Sequence, residues 1–407
     1  MLLTLSRLII NKFKPEVVLV VGTSGKSLIK EALRVILKKE QTVGRSSDIF
    51  LGIANLGQDK VGKVALFFRL CRLILFGDST YSKILLLEVG VAEIASISTI
   101  MRNYKCIIVA TEIAGCDYSL ERCHIKDELN DLLGLVAKDS IIVANIDDKH
   151  IVTILGKTKL QQISFAINGS AIVTASNIAI NITTHELDSG EISFKVHYQG
   201  NAVPVFLTGV VGQIHVYNAL AAISCGIALG LHLVEISKEL AEYRGLPGRL
   251  RLIKGIKSTV IIDDTYDSSP KSLLEVISVL SALKSDNGGA DNIIILGDTP
   301  GFGKNTEEYH KRVGKEIAAL NPRMLVTVGQ MGTIIRQGAY EAGFLEERGF
   351  HFSCANECSL KETGLFVQDK MRAGDILLIK GAKYNKLECI VQEVMADPQN
   401  TSQILVR

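Results

Sequence analysis

The chain has 407 residues, of which 47% are hydrophobic, so it is long enough for two or three domains with ordinary cores. A formal net charge of +2, 6% aromatic residues and the lack of tryptophan argue against a nucleic-acid-binding surface. The eight cysteines show no paired C-x-x-C spacing, which is typical of reduced, mostly buried thiols and argues against a zinc site.

Two apolar segments are too short to span a membrane. Met1–Phe13 has its lysines after the apolar stretch and no small-residue cleavage site beyond it, so a signal peptide is not expected. Val64–Phe76 is interrupted by Arg69 and Arg72, and it predicts a buried helix, with interfacial membrane contact as the alternative. We therefore expect a cytoplasmic protein without a transmembrane segment.

A phosphate-binding loop follows the first predicted strand. The β-branched run Val17–Val21 leads into Gly22-Thr23-Ser24-Gly25-Lys26-Ser27, after which apolar residues recur at helical spacing. Backbone N–H groups and a helix N-terminus bind an anion in such a loop, with Lys26 and Ser27 placed for phosphate and Mg²⁺. The loop is shorter than G-x-x-x-x-G-K-[ST], and the alternative is an ordinary strand–turn–helix corner. The flanking strand and helix favour nucleoside triphosphate binding.

Strand candidates rich in Val, Ile and Leu alternate with helical patterns in the first part of the chain: Val17–Val21, Ile84–Leu87, Cys106–Ala110 and Ile141–Ala144. This alternation predicts an α/β domain with a mostly parallel sheet. Between Gln161 and Leu207, short alternating segments such as Ile192–Val196 predict antiparallel strands appended to that sheet.

Helical periodicity resumes at His215–Leu231, and the Gly- and Pro-containing segment Arg244–Arg249 predicts a linker. Further strand candidates then alternate with helices: Val260–Ile262, Ile293–Leu296, Leu325–Val328 and Ile376–Ile379. The pattern predicts a Rossmann-like, doubly wound C-terminal domain. We expect a central phosphate-loop domain over residues 1–246 and the C-terminal domain over residues 247–407.

Short motifs along the whole chain occur in an order shared with one family of ligases. They are Gly22–Ser27, Leu86–Gly90, Asn145–Asp148, Gly212 with Asn218–Ala222, Pro247–Leu250, Asp263–Pro270, Leu296–Asp298, His310 with Val313–Gly314, and Ile379–Gly381. On these residues the chain resembles the Mur ligase family, and within it the ligases that add D-alanyl-D-alanine.

The resemblance implies an ATP-dependent, ADP-forming amide-bond ligase of peptidoglycan precursor synthesis. In that family, ATP phosphorylates the terminal carboxylate of a UDP-N-acetylmuramoyl-peptide, and an amine such as D-alanyl-D-alanine attacks the acyl phosphate. The implied cofactors are ATP and Mg²⁺, and a monomer is expected.

The resemblance assigns the metal to Ser27, Glu88, Asp117 and Lys126. Glu88 also follows from the residues, because a carboxylate at the end of a buried strand is costly unless it meets a cation, either Mg²⁺ or a lysine. Lys126 matches the family lysine that is carbamylated, although a solvated helix lysine is the ordinary alternative. Asp117 stands where the family has a histidine, so the second metal is either retained with altered affinity or lost.

The resemblance places further residues around the nucleotide and the acyl phosphate. Asn218 matches the adenine-contacting asparagine, Arg249 the arginine that reaches the phosphates, and Asp264 the residue that anchors the ribose or the arginine. Lys380 and His310 match groups near the acyl phosphate, where a cation stabilises developing charge. Without the resemblance, each of these residues has an ordinary structural explanation, as a helix cap, a charged linker residue, a turn residue or a structural histidine. The predicted catalytic residues are Lys26, Lys126, Lys380 and His310.

Several departures from the family pattern leave the substrates open. Ser46-Ser47 replaces an asparagine pair, Tyr266–Pro270 differs from the family signature, and the segment after Leu296–Asp298 is unusual. The N-terminal domain that grips uridine in the family is expected to be missing. Either another part of the protein or a partner then holds the nucleotide sugar, or the donor is different. The alternatives are a folylpolyglutamate-synthase-like ligase and a non-catalytic, ATP-binding relic or scaffold.

Overall fold

The computed structural model describes residues 1–38, 48–56, 62–111, 125–182, 190–266, 268, 270–286, 291–299, 306–353 and 356–406. The chain divides into two compact units. The first contains Met1–Ile178, Ser193–Phe206 and Val216–Tyr243, and the second contains Ala179–Ile192, Leu207–His215 and Arg244–Arg407. The domain boundary between residues 246 and 247 stays a prediction.

The first sheet has eight strands in the order β2-β1-β3-β4-β5-β6-β7-β8. They are β1 (Glu16–Val21), β2 (Ile84–Val89), β3 (Cys106–Ala110), β4 (Ile141–Asn145), β5 (Gln161–Ala166), β6 (Val173–Ile182), β7 (Gly190–Tyr198) and β8 (Asn201–Thr208). The pairs from β2 to β6 are parallel, with Leu19 opposite both Leu87 and Ile108. The central strand β1 is thus hydrogen-bonded on both edges and buried from Val17 onwards.

The last strands of this sheet run antiparallel. β7 and β8 are neighbours joined only by Gln199 and Gly200, and both linking residues have positive φ angles of 48° and 79°. A two-residue turn of this kind joins antiparallel strands. Only residues 183–189 connect the neighbours β6 and β7, too few for the crossover that a parallel pair needs. The predicted mostly parallel sheet with appended antiparallel strands is confirmed.

The helices in the described ranges cover the sheets and connect their strands. They are α1 (Leu2–Phe13), α2 (Lys26–Ile36), α3 (Ile49–Ile53), α4 (Lys63–Phe76), α5 (Ile94–Ile100), α6 (Ile125–Leu135), α7 (Lys149–Leu155), α8 (Gln213–Ala228), α9 (Leu233–Leu240), α10 (Pro270–Asp286), α11 (Thr306–Leu320), α12 (Gly332–Glu341), α13 (Glu357–Lys370), α14 (Glu388–Val394) and α15 (Thr401–Ile404). In these ranges no helix is long and apolar enough to cross a membrane.

The apolar helix α4 is buried on one face only. Leu66, Leu70 and Leu73 recur at helical spacing and enter the core of the first unit. The prediction of a buried helix holds for that face alone, because Phe68 and Phe76 are mostly exposed.

The second sheet has the order β13-β12-β11-β14-β10-β9. Its strands are β9 (Arg251–Lys254), β10 (Val260–Asp264), β11 (Asn292–Gly297), β12 (Met324–Val328), β13 (Gly349–Phe352) and β14 (Ile376–Lys380). Five strands are parallel, and the edge strand β9 is antiparallel to β10.

Alternate residues of the second sheet enter two separate cores. Ile262 and Ile294 pack with residues of α10, α11 and α12, whereas Ile261 and Ile293 pack with residues of α13 and α14. Because successive side chains of a strand point to opposite faces, this pattern requires helices on both faces of the sheet. The predicted Rossmann-like, doubly wound fold of the C-terminal part is confirmed.

Candidate functional site

The phosphate loop lies between β1 and α2, as the sequence predicts. Gly25 caps α2 with φ at 78°, a left-handed conformation that favours glycine. The Lys26 Nζ atom donates to the Gly22 carbonyl at 2.7 Å, which folds the ammonium over the loop. Thr111, directly after β3, donates its hydroxyl to the Ser24 carbonyl at 2.8 Å. The turn, the helix start and the cation therefore have the arrangement predicted for an anion-binding loop, and the binding itself stays a prediction.

Asn218 on α8 borders this loop. A Cβ atom on Gly25 would lie 2.8 Å from the Asn218 Oδ1 atom, so the two groups are in close approach. Asn218 is 2% exposed, and within the described residues its buried Nδ2 atom has no hydrogen-bond partner. A buried amide without a partner is costly, and a ligand acceptor beside the loop relieves that cost. These features fit a nucleotide, and the contact of Asn218 with adenine stays a prediction.

Ser27 and Glu88 meet at the carboxyl ends of the neighbouring strands β1 and β2. The Ser27 hydroxyl donates to the Glu88 Oε1 atom at 2.8 Å, and the Lys30 Nζ atom lies 3.4 Å from Oε2. The Glu88 and Lys30 side chains are only 15% and 14% exposed. The structure therefore shows Glu88 paired with a lysine and in contact with the serine of the loop, and its role as a metal ligand stays a prediction.

The donor set at Ser27 and Glu88 suits Mg²⁺, which prefers oxygen ligands and is commonly bound by one or two carboxylates together with substrate phosphates. Among the residues whose placement is described, no group of three or more His, Cys, Asp or Glu side chains is arranged to hold a metal. Nucleotide oxygens would therefore complete the coordination. Lys126 is half-buried in the first turn of α6, whereas Asp117 lies outside the described residues, so the metal roles of both stay predictions.

Glu88→Gln is expected to weaken Mg²⁺-dependent ATP binding by roughly tenfold or more, because it removes the charged oxygen ligand while keeping the side-chain shape. Calorimetric titration of ATP with Mg²⁺ and with EDTA measures this effect. Glu31→Gln is the matched control, since Glu31 lies on the same helix α2 and pairs with the exposed Arg34. An unchanged Mg²⁺ dependence in the Glu88 variant would contradict the assignment.

A buried ion pair occupies the carboxyl ends of β10 and β14 in the second unit. Asp264 and Lys380 are register partners on these neighbouring strands, and the Lys380 Nζ atom donates to Asp264 Oδ2 at 2.6 Å. Nζ also donates to the Ser272 hydroxyl at 2.8 Å. The two charged side chains are 2% and 4% exposed, so each requires the other. The structure thus joins two residues to which the resemblance assigns separate roles.

Asp263, next to this pair, is fully buried and accepts from the Gly248 N–H at 2.9 Å and from the Thr265 hydroxyl at 2.7 Å. Burial raises the pKa of Asp263 to about 6, against the lowering effect of these hydrogen bonds. The carboxyl fixes the segment around Gly248 to β10.

The raised pKa of Asp263 predicts a pH-dependent stability. Because the folded-state pKa is above the unfolded value, protonation stabilises the fold below about pH 4, and this contribution is lost as pH rises through about 6. Asp263→Asn is expected to reduce that dependence by up to roughly 3 kcal/mol. Urea unfolding across this window measures it, with exposed Asp369→Asn as the control. Equal pH dependence in wild type and Asp263→Asn would refute the linkage.

Arg249 lies over the ring of Tyr266, with its guanidinium carbon 4.2 Å from the ring centroid. The Lys383 ammonium lies 5.5 Å from the same centroid. The buried His215 donates from Nε2 to the Arg249 carbonyl at 3.0 Å, and burial lowers the pKa of His215 to about 4, so the ring is neutral. These contacts position two cations around one aromatic ring, and the phosphate-binding role of Arg249 stays a prediction.

His310 is fully buried on α11 with both ring nitrogens engaged. The Thr299 N–H donates to Nε2 at 3.2 Å, which leaves Nδ1 as the donor to the Thr306 carbonyl at 2.6 Å. The Thr299 hydroxyl is also 2.6 Å from that of Ser268. These contacts favour a role for His310 in positioning the backbone at Thr299, and the catalytic role stays a prediction.

Two residues in these clusters were missed by the sequence analysis. Lys30 lies one helical turn after Lys26, a spacing that places it on the same side of α2. Ser272 lies in the first turn of α10, and no motif marks it. Lys30 could have been found from the helical period. The contact of Ser272 with Lys380 could not, because it depends on the order of the strands in the second sheet.

Comparisons of the sequence with known proteins find ligases of one family. The sequence model of the Mur ligase middle domain matches residues 20–226. The UDP-N-acetylmuramoyl-tripeptide--D-alanyl-D-alanine ligase of Bacillus subtilis is 22% identical, with 97% of this chain and 79% of that protein covered. The ligase of the same name from Buchnera aphidicola subsp. Baizongia pistaciae is 26% identical, with 94% and 75% covered.

Solved structures share the fold. MurF ligase from Thermotoga maritima in complex with ADP superposes with a TM-score of 0.72 at 17% identity, covering 96% of this chain and 82% of that one. MurF from Acinetobacter baumannii gives a TM-score of 0.74 at 21% identity, covering 97% and 80%. At 17% and 21% identity, these superpositions show that the chain shares the fold of the two structures, and they show nothing more.

Proposed function

The chain belongs to the Mur ligase family, and on that basis we propose that it is an ATP-dependent, ADP-forming amide-bond ligase of peptidoglycan precursor synthesis. Its proposed substrates are a UDP-N-acetylmuramoyl-peptide and D-alanyl-D-alanine or a similar amine. Two relatives that match 97% and 94% of this chain are named for this addition, which supports the choice. We place the reaction in the cytoplasm, in keeping with the described cysteines, which are free thiols.

The observation that carries the proposal is the contact of Ser27, the residue after the loop lysine, with Glu88. Mg²⁺ at these two oxygens would neutralise charge on the transferred phosphoryl group. Lys26 would hold the phosphates, and Asn218 would orient the nucleotide against Gly25. Phosphoryl transfer depends mainly on such positioning and charge stabilisation, which this set of side chains supplies.

The function is tested by incubating the purified chain with ATP, Mg²⁺, UDP-N-acetylmuramoyl-tripeptide and D-alanyl-D-alanine. We expect ADP release that requires both substrates, together with the mass of the pentapeptide product. Omission of each substrate in turn is the control for unproductive ATP hydrolysis. The proposal would be overturned if the chain binds ATP but releases no ADP with these two substrates or with other pairs of a carboxylate and an amine. That result would favour a non-catalytic ATP-binding protein.

A further inference from the structure

The outer face of α4 is apolar and exposed, and the proposed ligase chemistry does not use it. It carries four large apolar side chains that are between 64% and 82% exposed: Val64, Phe68, Leu75 and Phe76. Their spacing places them with Arg72 on the side of the helix opposite its buried leucines. Four such side chains on one short helix form a patch of the kind that marks an interaction surface.

The charged residues on α1 and α4 have one sign. Neither α1 nor α4 contains an acidic residue, whereas together they carry Arg7, Lys12, Lys63, Arg69 and Arg72. The two helices are joined where their last turns meet, because the Lys12 Nζ atom donates to the carbonyls of Leu73 and Ile74 at 3.2 Å and 2.6 Å. The first acidic residue after α4, Asp78, is engaged by Arg69 at 3.2 Å.

We propose that this basic apolar face, defined as Val64, Phe68, Arg72, Leu75 and Phe76, docks on an anionic lipid bilayer. A helix lying in the membrane plane inserts its apolar side chains at the boundary of headgroups and acyl chains. Arg72 then extends its charged end to the anionic headgroups and contributes an attraction that salt weakens.

The single sign of charge favours lipid over a protein partner or a second copy of the chain. A protein groove that receives a basic apolar helix needs acidic residues around it. In a symmetric dimer through this face the basic residues of both copies would approach each other, which is repulsive. An anionic bilayer satisfies both the apolar and the charged groups.

Vesicle sedimentation tests the proposal. The full chain is expected to sediment with vesicles of phosphatidylcholine and phosphatidylglycerol, less so at high salt, and weakly with phosphatidylcholine alone. The double variant Phe68→Ser/Phe76→Ser should lower the partition coefficient about tenfold or more, and Arg72→Glu on the order of tenfold. Leu365→Ser, at a 53% exposed position of α13, is the matched control that should leave partition unchanged.

A second measurement reports insertion directly. The chain contains no tryptophan, so Phe68→Trp introduces a single fluorophore, and its emission should shift to the blue with anionic vesicles. Leu365→Trp should not shift. The proposal is overturned if wild type sediments with neither vesicle, or if the serine variants sediment as wild type does. It is also overturned if the face instead forms a dimer that Phe68→Ser/Phe76→Ser dissociates, seen by analytical ultracentrifugation.

Discussion

Lys26→Ala is expected to lower the rate of substrate-dependent ADP release about a hundred- to a thousandfold. The Lys26 ammonium lies over the phosphate loop, 2.7 Å from the Gly22 carbonyl, on a flexible stem that can turn toward a phosphate. Phosphoryl transfer requires cations that neutralise the phosphate oxygens, and alanine supplies none. The rate is measured by coupled ADP detection at saturating substrates.

The variant should remain folded, because the hydrogen bond from Lys26 Nζ to the Gly22 carbonyl is only partly buried, and such a bond is worth about 1 kcal/mol. Lys38→Ala is the matched control: this lysine follows α2 and pairs on the surface with Glu242, both side chains being more than half exposed. Its rate should equal that of wild type. Turnover by Lys26→Ala within a few-fold of wild type would exclude the predicted role of the loop lysine.

The turn between β1 and α2 could be predicted from sequence because its shape depends on residues that are close together in the chain, whereas the contacts of Thr111 and Asn218 with it come from distant segments. The run Val17–Val21 specifies a buried strand, and the glycines before Lys26 specify the turn into α2. Glu88 could also be placed, since parallel strands end at the same edge of a sheet and a buried carboxylate requires a cation. The local pattern therefore predicted that Glu88 and the loop lie at the same edge of the first sheet, where Ser27 and Glu88 are in contact.

The buried pair of Asp264 and Lys380 could not be predicted as a contact. The two residues are 116 positions apart, and their proximity depends on β14 inserting between β10 and β11 in the sheet. Sequence periodicity identifies strands but not their neighbours. The short strand β13, Gly-Phe-His-Phe, was missed for a related reason: it is only partly buried and has no β-branched residues. Tertiary pairing, not local preference, makes it a strand.

Lys380→Met is expected to destabilise the second unit by about 3 to 5 kcal/mol, because it removes the ammonium group that contacts the buried Asp264 carboxylate. The Asp264 side chain is 4% exposed, so water cannot replace the lost partner without opening the strands. Hydrogen exchange of the amides of β10 and β14 measures the free energy of this opening. Lys254→Met, at an exposed position of β9 in the same sheet, is the control and should change it by less than about 0.5 kcal/mol.

The double variant Lys380→Met/Asp264→Leu distinguishes an ion pair from simple packing. Two apolar side chains of similar volume need no desolvated partner, so this variant should recover most of the stability lost in Lys380→Met. The recovery would show that the single variant suffers from an uncompensated charge and not from a cavity. A double variant as unstable as the sum of its single substitutions would mean that Asp264 and Lys380 contribute independently, contrary to their 2.6 Å contact.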